Sequence, residues 1–258
     1  MSPADDAAPL HAIGGGGGSG PARGSFRHFH EQLTELRQRL LSMSEQAEAL
    51  VALAVEALLE RDDEKAALVI AGDRALDEAE LEVEGMAIQL LALQQPMARD
   101  LRFLVGAIKV SSDLERVGDH AVNIAQGTRR LLDDGLRLAP LPELEEMAHR
   151  ARRMLADALD AFTRGDGQLG REVCRADDAV DSLYNALFRI LHTHMTADPR
   201  AISPSLELLL VSRNLERVAD LATNIAEDAV YVAEARQIRH RAELADDARD
   251  AVDAAGAR

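Results

Sequence analysis

The chain has 258 residues, enough for one large domain or two smaller ones, and 47% of them are apolar, so it can bury a core. Its formal charge of −16, from 45 acidic and 29 basic residues, argues against nucleic-acid binding, which needs basic patches, and suits cations or basic partner surfaces. Aromatics are 3% with no Trp, so the apolar mass is Leu, Ala and Val, suited to close-packed helices, and Cys174 as the only cysteine excludes an intrachain disulfide framework or a Cys-rich zinc site.

In chain order, residues 1–24 form a Gly-rich tail with five consecutive glycines, expected to be disordered and to lie outside the fold. Three helical patterns follow, at roughly 25–61, 63–93 and 97–134. The first break is weak (ERDDEK), whereas Pro96 marks the second clearly. Gly135, Pro140 and Pro142 interrupt the pattern before three more helices, at roughly 143–164, 166–196 and 203–237. Turns are expected at 163–167 and 198–199, and Ser203 with Pro204 reads as an N-cap followed by the first helical residue. Residues 241–258 form a charged tail. No apolar run reaches the ~18 residues of a membrane span, and the N-terminus has no signal-peptide pattern, so no membrane insertion is expected.

The helices repeat. Residues 41–77 lie on residues 145–181 with a constant offset of 104, pairing Met43 with Met147, Val51 with Leu155 and Leu58 with Phe162. Ile70 then meets Cys174, which reads as a small core residue. Further on, DLERVGDHAVNIA (113–125) and NLERVADLATNIA (214–226) agree at nine of thirteen positions with an offset of 101. The drop from 104 to 101 places a three-residue deletion in the loop between the second and third helices of the second copy. The predicted fold is therefore all-α, two tandem three-helix bundles (25–135 and 141–240) related by an internal repeat.

The repeated phrase carries Glu115, Asp119 and Asn123 in one copy and Glu216, Asp220 and Asn224 in the other, spaced i, i+4, i+8 along one helical face. Asp73 and Asp77 form a second acidic step on the middle helix, as do Asp177 and Asp181 at the repeat offset. If middle and third helices are antiparallel neighbours, up to four carboxylates in each repeat come close, a donor set for divalent or trivalent metal ions that accept oxygen ligands: Mg, Mn, Fe, or Zn with water. Asn123 and Asn224 are possible flanking ligands. His120 is set aside because Leu221 replaces it in the second copy. The competing reading is ordinary surface charge, with Arg74, Arg116 and Arg217 each neutralising the Asp three residues on. No catalytic nucleophile, phosphate-binding loop or nucleotide fingerprint is present.

Two three-helix repeats, each with DxxxD on the middle helix and ExxxD within a D/NLERVxDxxxN phrase on the third, resemble the PhoU family of phosphate-uptake regulators. The segment QQPMARDLR (94–102) is similar to that family's junction between second and third helices. The resemblance covers about residues 26–238. It implies a protein that is not an enzyme, is cytoplasmic and peripheral to membrane complexes, and acts as a negative regulator of the phosphate-starvation response. The implied partners are the ATPase subunit of the phosphate ABC transporter, the phosphate sensor histidine kinase and a second copy of the chain. It also implies metal on Asp73, Asp77, Glu115 and Asp119 and on Asp177, Asp181, Glu216 and Asp220. Asn214 departs from Asp113, so the two sites are not expected to hold metal equally. Two other classes stay open: a metal-dependent carboxylate-bundle enzyme, disfavoured by the lack of Glu-x-x-His steps, and a purely structural helical adaptor with solvated acidic stripes.

Overall fold

The computed structural model describes residues 21–94, 96–135, 138–139 and 141–238. Six helices account for nearly all of them: α1 (Pro21–Glu60), α2 (Asp63–Gln94), α3 (Ala98–Asp134), α4 (Pro142–Arg164), α5 (Gly167–Ala197) and α6 (Ile202–Glu234), with a 3-10 turn at Pro199–Ala201. Helix α1 takes in residues 21–24, assigned above to the tail. The remainder of that tail, the charged C-terminal tail and Pro140 lie outside the described residues.

The turns are duplicated along with the helices. Asp62 accepts hydrogen bonds from the backbone N–H groups of Glu64 and Lys65 at the start of α2. Asp166, 104 residues on, does the same for Gln168 and Leu169 at the start of α5. Before each cap the backbone turns left-handed, at Arg61 (φ 58) and Gly165 (φ 67), and Asp62 and Asp166 donate back to the carbonyls of Ala57 and Ala161. Glycine adopts this conformation without steric cost and arginine does not, which is why the first break was weak in the sequence.

The deletion falls where the offsets place it. Helix α2 ends at Gln94 and α3 begins at Ala98, whereas only Asp198 separates α5 from the 3-10 turn at Pro199. Asp198 is the cap, accepting from the Arg200 N–H. This corrects the Ser203–Pro204 reading: Pro204 sits inside the first turn of α6, where its missing N–H leaves no hydrogen bond unmade.

Helices α3 and α6 are the antiparallel spine on which the two bundles meet. Lys109 reaches Asp228, His120 reaches Asn214 and Arg130 reaches Glu207. These pairings put the approximate internal two-fold near Val117 and Val218, both fully buried. Gly106 and Gly127 let the helices close up: an added Cβ would stand 3.1 Å from Val232 and 2.7 Å from Val211, respectively. Phe162 of α4 enters above Gly106 and packs on Phe103 at 5.8 Å between ring centroids. Outside the spine, α1 and α2 complete one bundle and α4 and α5 the other. Fully buried side chains such as Leu36, Leu76, Leu155 and Leu187 each contribute about 1.5–3 kcal/mol. Cys174 is buried as expected, and burial pushes its thiol up to about 12, so it is an inert core residue.

Candidate functional site

Helix α2 runs antiparallel to α3 with Leu76 and Asp73 against Gly118; an added Cβ there would stand 2.5 Å from Leu76 Cδ2 and 3.1 Å from Asp73 Oδ1. This close approach brings the two acidic steps of repeat one onto one surface. Burial first, then the charges of Asp119, Glu80, Asp77 and Asp73, hold the Glu115 carboxyl above its ordinary value. Burial, Asp77 and Asp119 do the same for Asp73. Asp73, Asp77, Glu115 and Asp119 therefore lie near enough for their charges to act on one another.

Glu80 belongs to this cluster and was missed. Its proton affinity is raised by burial and by Glu84 and Asp77, against a hydrogen bond from Ser112. The signal was the continuing stripe Asp73–Asp77–Glu80–Glu84 along α2. A search governed by repeat symmetry passes over it, because Tyr184 and Phe188 occupy the equivalent positions.

Repeat two brings together Asp181, Glu216 and Asp220: burial, Asp220 and Asp181 raise Glu216, while Arg217 and Arg213 oppose the rise. Asp177 lies deeper, 8% exposed and close enough to Cys174 to raise its thiol. Asn123 and Asn224 are both exposed one turn further along and make no side-chain hydrogen bond among the described residues.

The surface-charge reading holds in one repeat and fails in the other. In repeat two Arg217 Nη1 sits 2.9 Å from Asp220 and its Nε 3.6 Å from Glu216. In repeat one Arg116 turns the other way, to Asp113 at 3.5 Å, and Arg74 pairs with Glu78 rather than Asp77. Among the described residues no basic side chain forms an ion pair with Asp73, Asp77, Glu115 or Asp119. The donor chemistry of repeat one thus fits a hard, oxygen-preferring cation, with carboxylates from two helices in a partly desolvated setting. Among the described residues no three His, Cys, Asp or Glu side chains converge as a ready-made cage, so binding would require these side chains to rotate inward. Also among them, no helix is long and apolar enough to cross a membrane.

Fold and face together define a class: a tandem pair of three-helix bundles sharing an antiparallel spine and presenting acidic steps from two helices of each bundle. The family model described as PhoU domain matches the chain twice, at residues 40–128 and 144–229. The chain is 42% identical over 203 residues to a phosphate-specific transport system accessory protein PhoU homolog of Caulobacter vibrioides, covering 79% of this chain and 88% of that one. Crystal structures of PhoU from Pseudomonas aeruginosa (TM-score 0.78, 35% identity) and of the phosphate transport system regulatory protein PhoU from Streptococcus pneumoniae (TM-score 0.75, 30% identity) superpose on it. They cover 81% and 82% of this chain and all of their own. The chain belongs to the PhoU family.

Proposed function

We propose that this protein is a metal-binding, non-enzymatic regulator of phosphate uptake that restrains phosphate-starvation signalling when phosphate is plentiful. The observation that carries the reading is the doubled PhoU domain, at 42% identity to a phosphate-transport accessory protein. The uncompensated acidic face of repeat one supports the metal part. Eight carboxylates were assigned to metal from the sequence, and those of repeat one have the free donor oxygens that Fe, Zn, Mn or Mg would require. We place the protein in the cytoplasm as a homodimer, peripheral to the phosphate ABC transporter through its ATPase subunit and in contact with the sensor histidine kinase.

The test is genetic and biochemical. Deleting the gene should raise a phosphate-starvation reporter in phosphate-replete cells, and restoring the chain should silence it. A tagged chain should retain the transporter ATPase subunit from detergent extract. A reporter unmoved by deletion would overturn the regulatory reading. Purified protein that takes up no metal after chelator stripping and reloading would overturn the metal part alone.

A further inference from the structure

We infer that repeat one is the metal-loading half, and that the side chain at position 113 or 214 decides this by setting where the following arginine goes; the inference rests on the metal reading above. Arg116 and Arg217 are equivalent, and each has two carboxylate directions open to it along its own helix. One leads back three residues, away from the acidic step, and the other leads forward three residues, onto it.

In repeat one Asp113 offers a carboxylate on the backward side and holds Arg116 at 3.5 Å. In repeat two the backward position is Asn214, which has no charge to offer and is already engaged. Its Nδ2 donates to the Leu210 carbonyl at 2.8 Å, and its Oδ1 lies 2.9 Å from His120 Nδ1 across the spine. Arg217 therefore turns forward onto Asp220 and Glu216. Its guanidinium is a built-in cation standing where a metal ion would compete for the same oxygens. The surroundings act in the same direction, since Glu80 and Ser112 of repeat one are replaced by Tyr184 and Arg213. Binding a metal in repeat two must break an ion pair and gather two cations on one acidic step; binding in repeat one requires neither.

Asp113 and Asn214 are positioning residues, since neither is assigned as a ligand. The test uses full-length protein stripped by chelator and reloaded with Mn²⁺. Metal per chain is measured by elemental analysis, the bound ion is located by paramagnetic broadening of amide signals, and helix content is monitored throughout. The paired variant Glu216→Ala, Asp220→Ala should keep the Mn²⁺ of the unaltered chain, and Glu115→Ala, Asp119→Ala should lose it. Asp113→Asn should weaken binding roughly tenfold, the size expected of a residue that acts through a ligand's neighbour. Asn214→Asp combined with His120→Leu reproduces the repeat-one arrangement at both positions and should add Mn²⁺ binding in repeat two, with broadening around Glu216. Equal loss of metal from the two alanine pairs would overturn the inference while leaving the metal reading intact. So would an Asn214→Asp, His120→Leu protein that folds and gains no metal. No Mn²⁺ in any variant would overturn both.

Discussion

Repeat one and repeat two carry the same Glu–Asp step in the same register, yet the first leaves it uncompensated and the second covers it with an arginine. They also differ in where a glycine sits between their middle and third helices. In repeat one the glycine is Gly118, level with Asp73 and the acidic step, whereas repeat two has Ala219 there. In repeat two it is Gly170, seated on the Ala226 carbonyl, seven residues before Asp177, and repeat one has Ala66 at that level. Duplication preserved the acidic motif, while the glycine position and one neighbouring amide decide how tightly and with what charge each copy presents it.

This contrast can be broken most forcefully at Gly170. An alanine Cβ there would stand 2.8 Å from a backbone oxygen, and backbone yields poorly. Gly170→Ala should cost about 2–3 kcal/mol in denaturant unfolding and leave Mn²⁺ binding in repeat one unchanged. Gly118→Ala meets only side chains, the end of Leu76 and the Asp73 carboxylate, and the roughly 1 kcal/mol gained in helix propensity offsets part of the overpacking. A net loss of about 1 kcal/mol is expected, together with weaker Mn²⁺ binding as α2 moves away from α3. Unchanged metal affinity would show that helix proximity does not matter to the site. Arg61→Gly gives repeat one the turn residue of repeat two and should stabilise the protein by about 0.5–1 kcal/mol; destabilisation would mean that the arginine side chain makes a compensating contact.

The smallest effect is electrostatic. Asp73, Glu80, Glu115 and Glu216 bind their protons more tightly in the folded chain than at their ordinary values of 3.8 for Asp and 4.5 for Glu. Their contribution to stability is full below those ordinary values and is lost as pH rises through the raised folded ones. Metal-free protein should therefore gain thermal stability on acidification from neutral pH toward the carboxylate range. Glu115→Gln should stabilise it at neutral pH by about 0.2–0.5 kcal/mol and flatten that pH dependence, with Glu216→Gln doing less because Arg217 already offsets its neighbours. A melting temperature that falls over the same interval would contradict the sign.

Helix existence, order and most boundaries were legible because the apolar period, the Gly and Pro breaks and the repeat offsets agreed with one another. The acidic steps were legible because each keeps its i, i+4 spacing in both repeats, which lets carboxylates of antiparallel neighbouring helices come close on one surface. Glu80 was not, because repeat symmetry served as the filter and this residue is unique to one copy. The arginine switch was not legible either. Asp113, Asp119 and Arg116 are all spaced for pairing, and Asn214 is tied up by His120, which stands 94 residues away in sequence. The α6 start was misread because Ser203–Pro204 has the right composition two residues too late.

The spine pairs have a directional consequence. In Lys109–Asp228, Arg130–Glu207 and His120–Asn214, α3 always brings the basic group and α6 the acceptor. The equivalents of Glu207 and Asp228 on α3 are Gly106 and Gly127, and those of Lys109, His120 and Arg130 on α6 are Leu210, Leu221 and Tyr231. Two copies of the second half would forfeit all three ties, and two copies of the first would keep only His120 facing Asp113, the equivalent of Asn214, since Gly127 and Gly106 stand where Lys109 and Arg130 need carboxylates. What began as a self-matching pair has become two unlike partners carried on one string, and the linker between them no longer chooses the mate.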